Sequence, residues 1–545
     1  WGDYDNDGFL DIFTAASGKL FHNLGGQGFE NVTNIVPERG EHVSRGAVWG
    51  DFNNDSYLDI YYAGYEVWEP SRDYADILYL NEGGTAFKKH WESPSKERAR
   101  GVTAADFDND GDQDLYVTNF GRNVLYINNG NGTFSDGTAA AKVGTPFWSS
   151  SACFADINGD GLLDLYVANY LLYDSRVHKA CSSSQNKTPS YCHPNKYDGA
   201  PDSLYLNRGG GRFEDISRSA GIAVRGRILS KGLGVLPTDF DSDGDIDFLV
   251  ANDSVPNFLW RNLGGGKFED AALEAGVALN TTGSPEACMG VDGGDVNGDG
   301  LQDYFLTNFS EETDTLFFGE GDGFFDDNTL RSGLGKPTFD PLGFGTRLFD
   351  YDLDGDLDIY VTRGHILDNL ETLHPGTRLR YAQPDHLFQN DGKGRFTDVS
   401  GSSGSWFKKK LVGRAVATAD YDSDGDLDLF IVNSGQECTL LENRAERKGS
   451  WIGIRLQGTA PCSRDATGSL ITLKAGGGAR RVELRNSQSY MAASDPRVIL
   501  ALDKGAAKAP PVEVRWSDGL RELFNNLQAE RYHLLVRGQG EQLGE

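Results

Sequence analysis

Asp350-Tyr-Asp-Leu-Asp-Gly-Asp-Leu-Asp-Ile-Tyr-Val361 is the stretch on which the fold turns. Its first nine residues follow the pattern D-x-[DN]-x-D-G-x-x-D, and its last three open a β-branched and aromatic run. Aspartates at positions 1, 3 and 5 set three carboxylates on the inside of one tight turn, and glycine at position 6 permits the reversal. A backbone carbonyl at position 7 and the aspartate at position 9 complete an oxygen-only shell. That shell suits Ca2+, which takes roughly six to eight oxygen ligands, whereas Mg2+ keeps its waters and Zn2+ selects histidine or cysteine. An EF-hand loop begins the same way but needs Glu at position 12 and flanking helices. Here position 12 is Val361, and in other copies Thr14, Val117, Val167 or Val250, inside a strand pattern. The EF-hand is excluded.

The nonapeptide occurs eight times, at spacings of 48 to 83 residues. The candidate ligands at positions 1, 3, 5 and 9 are Asp3, Asp5, Asp7 and Asp11 in loop 1, and Asp51, Asn53, Asp55 and Asp59 in loop 2. Loop 3 offers Asp106, Asp108, Asp110 and Asp114; loop 4 offers Asp156, Asn158, Asp160 and Asp164. Loop 5 has Asp239, Asp241, Asp243 and Asp247, and loop 6 has Asp295, Asn297, Asp299 and Asp303. Loop 7 has Asp350, Asp352, Asp354 and Asp358, and loop 8 has Asp420, Asp422, Asp424 and Asp428. These 29 carboxylates nearly equal the net charge of −30, which eight bound Ca2+ would bring to about −14. Without the ions each loop gathers three or four negative charges, so the ion-free fold is expected to be unstable. Loop 2, with Ser56 in place of glycine and Asn53 at position 3, is expected to bind most weakly.

One frame surrounds every loop. A short run such as Gly46-Ala-Val-Trp-Gly50 precedes it, and an alternating run such as Leu58-Asp-Ile-Tyr-Tyr62 follows. A second run then ends in asparagine: Leu78-Tyr-Leu-Asn81, Leu125-Tyr-Ile-Asn128, Leu204-Tyr-Leu-Asn207, Leu387-Phe-Gln-Asn390. A glycine turn and a last short strand close the unit. Three or four short strands per repeat predict an all-β fold, a β-propeller with a small C-terminal β-rich domain. Eight loops favour eight blades. Seven blades is the alternative, because the first unit lacks a strand before Trp1 and the C-terminal segment could supply a closing one. The expected division is a propeller over residues 1–443 and a β domain over 450–536. Two longer connections, Tyr173 to Pro201 and Gly364 to Pro384, are expected as loops on one face.

Composition narrows the setting. A polyanion with 38% hydrophobic and 11% aromatic residues can bury a core but is a poor partner for nucleic acid or anionic lipid. No apolar run approaches the roughly 20 residues a membrane span needs. Trp1 is not an initiator methionine, so a missing leader carries no information. Six cysteines without a CxxC pair are compatible with three disulfides. With sequons at Asn31, Asn54, Asn131, Asn186, Asn252, Asn280 and Asn308, they point to an extracellular, secreted protein.

The loops and their strands resemble the FG-GAP/VCBS repeats of integrin-type propellers, over about residues 1–443. Tyr191-Cys-His-Pro-Asn-Lys-Tyr-Asp-Gly-Ala-Pro-Asp-Ser-Leu-Tyr-Leu-Asn207 resembles the cysteine-bearing segment of the cartilage acidic protein family. Residues 450–536 resemble the ASPIC/UnbV domain, on Trp451-Ile-Gly-Ile-Arg-Leu456, Gly468-Ser-Leu-Ile-Thr-Leu473 and Val512-Glu-Val-Arg-Trp-Ser-Asp-Gly519. Arg497-Val-Ile-Leu-Ala-Leu502 departs from the usual pattern of that domain. The resemblance implies an extracellular calcium-binding propeller with an appended β domain, and no established reaction.

A search for catalysis finds no G-x-S-x-G elbow, H-E-x-x-H or phosphate-cradling loop. Cys181 and Cys192, with His178 and His193 beside them, are read as a disulfide in preference to a Zn2+ site. His365, His374, Arg378 and Arg380 are read as a solvated loop in preference to an acidic-glycan site. Tyr65, Trp68 and Tyr74, expected to be exposed, could stack on sugars or pack an insertion. The leading reading is a structural or adhesive protein that binds other proteins or copies of itself, including self-assembly into filaments. A lectin-like glycan binder comes second and a polysaccharide lyase or hydrolase third.

Overall fold

The strand that follows each acidic loop dictates the architecture. In the third repeat it is Asp114–Asn119, and all six residues are buried. Such a strand is covered on both faces, which requires a neighbouring sheet on each side. The computed structural model describes every residue except 40–43, 45, 69–70, 95, 175–178, 183–186, 224–228, 476–477, 486–488 and 544–545. Among the described residues eight antiparallel sheets follow one another in chain order. Sheets 2 to 7 have four strands each; sheets 1 and 8 have three. Sheet 7 is representative: Gly343–Phe349, Asp358–Arg363, His386–Asn390 and Phe396–Asp398. Its acidic loop joins the first two strands, which pair Phe349 with Asp358 and Arg347 with Tyr360.

Sheet 1 runs Ile12–Thr14, Lys19–Asn23 and Phe29–Asn31, and only an isolated bridge from Gly2 to Asp11 stands where other sheets have a first strand. Sheet 8 ends with its third strand, Thr439–Leu441. The expected possibility that C-terminal chain adds a closing strand is not realised among the described residues.

Neighbouring sheets are stitched by one side chain. The asparagine that ends the third strand of sheets 2 to 5 and 7, ends Lys19–Asn23 in sheet 1 and follows Thr439–Leu441 in sheet 8 donates from Nδ2 to the carbonyl at loop position 2 of the preceding sheet. Asn81 reaches Tyr4, Asn128 Phe52, Asn207 Phe107, Asn262 Ile157, Asn390 Val296 and Asn443 Tyr351, at 2.7–3.0 Å. Asn23 of sheet 1 reaches Tyr421 of sheet 8 at 2.7 Å, so the series returns to its start. Phe29 packs on Tyr421 there, and Trp1 on Phe430. Sheet 6 departs from the rule, with Gly319 at the asparagine position.

The C-terminal chain forms two more sheets. Val498–Leu502, Ser450–Gln457 and Tyr532–Val536 make one, with the last two strands parallel. Gly478–Glu483, Leu470–Ala475, Val512–Arg515, Arg521–Phe524 and Glu541–Gln542 make the other. Ile452, Ile454, Leu473, Val514 and Trp516 fill the space between them. This unit seats on the loop face. Arg485, Ser489 and Asp495 meet the first strands of sheets 5 to 8: Arg485 donates to the Pro237 and Gly293 carbonyls, Ser489 bridges Val291 and its hydroxyl accepts the Thr346 N–H, and Asp495 donates its N–H to the Thr418 carbonyl.

Several sequence expectations are refined. Cys181 and Cys192 form a disulfide, as expected, but Cys153, Cys288, Cys438 and Cys462 are free thiols. Asn252 and Asn308 are wholly buried, tied into strand-end hydrogen bonds, and cannot carry a glycan in the folded chain. Asn31, Asn54 and Asn131 are exposed. His178, Asn186 and the Trp68 side chain lie outside the described residues.

Candidate metal loops

Each acidic loop is a turn that hydrogen-bonds to itself. The position-1 carboxylate accepts the backbone N–H of positions 5 and 6: in loop 7, Asp354 and Gly355 donate to Asp350 at 3.1 and 2.8 Å. The position-5 carboxylate accepts from position 7, as Asp356 donates to Asp354 at 3.0 Å. Position 6 has a left-handed backbone throughout, with φ of 94° at Gly8 and 96° at Gly355. Ser56 takes the same conformation in loop 2 at φ 74°, where a side chain is disfavoured.

These bonds leave the position-3 carboxylate over. Asp108, Asp241, Asp352 and Asp422 each keep one buried oxygen, Oδ1, with no hydrogen-bond partner. A buried carboxylate oxygen without a partner is costly unless a cation joins it. The surrounding ligands converge. Asp3, Asp5 and Asp7 bring one oxygen each within 4.8 Å of one another, as do Asp106, Asp108 and Asp114, Asp239, Asp241 and Asp243, and Asp350, Asp352 and Asp358. Oxygens that share a Ca2+ at about 2.3–2.6 Å lie no more than about 5 Å apart, so the donor set fits that ion. In loops 2, 4 and 6 position 3 is asparagine, whose Nδ2 donates to the position-5 aspartate at 2.9–3.0 Å.

Position 9 has two tasks. Its carboxylate accepts the N–H at the end of the third strand, at 2.6–2.8 Å in all eight sheets. In most loops it also accepts the N–H of position 2, as Tyr4 donates to Asp11 at 3.0 Å. Burial nevertheless pushes these carboxyls up: Asp11 and Asp59 to about 7, Asp114, Asp164 and Asp303 to about 8, and Asp247, Asp358 and Asp428 to about 9. Desolvation is the leading cause in each, with neighbouring loop aspartates adding to it. A divalent cation would supply the charge that a proton otherwise must.

Sequence reasoning missed the residues behind the ligands. The side chain just before the strand-end asparagine reaches position 3: His22 lies 3.4 Å from Asp5, Arg261 3.1 Å from Asp241, and Gln389 2.9 Å from Asp352. It also missed the groups that the C-terminal domain and the linker before it bring to the loops. Arg515 pairs with Asp239 at 2.8 Å, the Tyr532 hydroxyl donates to Asp420 at 2.7 Å, and Arg447 pairs with Asp424 and Asp426. The repeating asparagine was visible in the sequence; its cross-sheet partner was not.

Two expectations away from the loops are corrected. His365 is not on a solvated loop; it is 1% exposed, packs on Phe309, and burial depresses its imidazole to about 4. Tyr65 is buried under the Arg100 guanidinium, 4.8 Å from its ring centre, because the connection folds back onto sheet 3.

Acidic turns repeated at the heads of successive propeller sheets define a class of repeat protein. The chain belongs to the FG-GAP-like repeat family, whose model matches residues 3–62, 67–117, 106–167, 239–306 and 295–361. Residues 458–542 match the family described as ASPIC and UnbV. Cartilage acidic protein 1 of Mus musculus is 24% identical over 440 residues, covering 77% of this chain and 62% of that protein. The Homo sapiens protein of the same name is 25% identical, covering 77% of this chain and 60% of its own. The chain thus spans about three fifths of the length of these relatives. Among solved structures, a lectin of Agrocybe aegerita that recognises non-reducing terminal N-acetylglucosamine is similar at a TM-score of 0.39 and 16% identity, covering 71% of this chain and 89% of that one.

Proposed function

We propose that this chain is an extracellular, calcium-stabilised structural protein, a propeller of eight blades over residues 1–443 with a β domain over 450–536 seated on its loop face. Up to eight Ca2+ occupy the loops, held by the aspartates and asparagines at positions 1, 3, 5 and 9, and the ions brace the fold without turning over a substrate. The observation that carries this reading is the set of converging carboxylates with unpartnered buried oxygens. The relatives' name, cartilage acidic protein 1, supports an extracellular matrix setting, and its word acidic suits a chain of net charge −30. Its partners are then other proteins or copies of itself. Light scattering and negative-stain imaging in millimolar calcium test the assembly: large ordered particles that collapse on chelation support it, and a monodisperse 59.5 kDa species sinks it.

Glycan binding is the second reading. A cavity of about 570 Å3 between sheets 1 and 2 is walled by Phe13, Tyr62 and Tyr79 and edged by Arg39. Tyr62 and Tyr79 are 1% and 2% exposed, so Phe13 and the Arg39 guanidinium are left to meet a sugar there.

A further inference from the structure

Loops 3 and 7 present the same four aspartates with glycine at position 6, yet differ in what stands behind them. Around Asp106, Asp108 and Asp114 the interacting groups are backbone N–H donors and other aspartates. Loop 7 has cations against it: Arg480 donates to the Gly355 carbonyl at 3.3 Å and acts on Asp350, and Lys448 reaches the carboxylates of positions 3 and 5 themselves. Lys448, in the segment linking sheet 8 to the C-terminal domain, sets Nζ 2.7 Å from Asp352 Oδ2 and 2.7 Å from Asp354 Oδ2. Its backbone N–H donates to the Asp352 carbonyl at 2.8 Å, which fixes the stem at the loop. Asp352 Oδ1, on a residue 3% exposed, stays unpartnered while Asp350, Asp352 and Asp358 converge.

We infer that Lys448 is a tethered cation that makes loop 7 a low-affinity calcium site and couples its filling to the seating of the C-terminal domain. The inference rests on the reading that these loops bind calcium. An ammonium ion beside the ligand carboxylates relieves the repulsion that makes an empty loop unstable, so empty loop 7 is stabilised relative to empty loop 3. The same charge repels an arriving divalent ion. Coupling is reciprocal: if Lys448 weakens calcium at loop 7, calcium at loop 7 weakens the hold of Lys448. The linker 445–450 therefore loosens as that site fills.

Hydrogen exchange of the intact chain across a calcium titration tests this loop by loop. In the wild type the protection midpoint of residues 350–358 is expected about tenfold above that of residues 106–114, and exchange in 445–450 quickens at the same concentration. Lys448→Met, which keeps the aliphatic stem and leaves Arg480 on the Gly355 carbonyl, should move the loop 7 midpoint most of the way to that of loop 3 and abolish the calcium response of 445–450. Lys448→Arg, retaining the charge, should behave as wild type. Lys474→Met removes an exposed charge of the same domain that pairs with none of the ligands, and should change nothing. Equal midpoints in the wild type, no change in Lys448→Met, or an equal change in Lys474→Met would each overturn the inference. Absence of any calcium protection in either loop would instead overturn the calcium reading itself.

Discussion

Buried aspartates stand at both ends of the second strand, and the two ends treat them differently. At the far end, Asp76, Asp202 and Asp385 cap the turn into the third strand. Each has one oxygen on a tyrosine hydroxyl, from Tyr61, Tyr166 and Tyr360 at 2.7–2.8 Å, and the other on a backbone N–H at 2.6–2.8 Å. At the loop end the carboxylates crowd one another, and four position-3 oxygens are left over. Asp108, Asp241 and Asp422 are the more open residues, yet the oxygens they do bury go unsatisfied. The far end is closed by the protein's own donors, whereas the loop end keeps oxygens that no donor meets and that suit a cation.

Removing the cation should separate the two ends most strongly. Each Ca2+ site filled at a thousandfold excess over its Kd stabilises by about 4 kcal/mol, so chelation is expected to lower Tm by a large margin or unfold the chain. Differential scanning calorimetry in calcium and in EDTA checks this; coincident transitions would mean the loops need no ion.

Tyr360→Phe probes the other end. It strips Asp385 of a donor and takes from Trp406 Nε1 the hydroxyl acceptor 3.1 Å away. The expected cost is about 1–3 kcal/mol, equal in calcium and in EDTA. A cost that depends on calcium would erase the distinction between the ends.

Protonation sharpens it further. Burial lifts the Asp385 carboxyl to about 6. Because that lies above the unfolded value of about 4, the native state holds the extra proton between these pH values and loses stability as pH rises through them. In calcium, the gap in stability between wild type and Asp385→Asn should narrow by up to about 3 kcal/mol from pH 4 to pH 7, as read by urea unfolding. A gap that widens with pH would contradict it.

The smallest effect carries a change of sign. Asp108→Asn relieves repulsion in the empty loop and should stabilise the chain in EDTA by about 1 kcal/mol while destabilising it in calcium. Loss in both conditions would mean that Asp108 serves the turn and not an ion.

Much of this was legible because it recurs. Eight nonapeptides gave the loops, their spacing gave the sheets, and Cys181 with Cys192 gave the one disulfide of the described residues. What recurs but acts across repeats was half legible: Asn81 stands out as a repeated letter, but its acceptor, the Tyr4 carbonyl, belongs to another sheet. What occurs once was not legible. Arg447 and Lys448 look like linker residues until the C-terminal domain seats them against loops 8 and 7. The insert bearing His365 looks solvated by composition, and only packing against Phe309 removes it from water.

Native mass spectrometry of the intact chain in millimolar calcium tests the central claim most directly. A ladder of calcium adducts reaching as many as eight, lost together with the folded charge-state distribution on chelation, is the result this account predicts. A folded chain that carries no bound calcium at any concentration would contradict it.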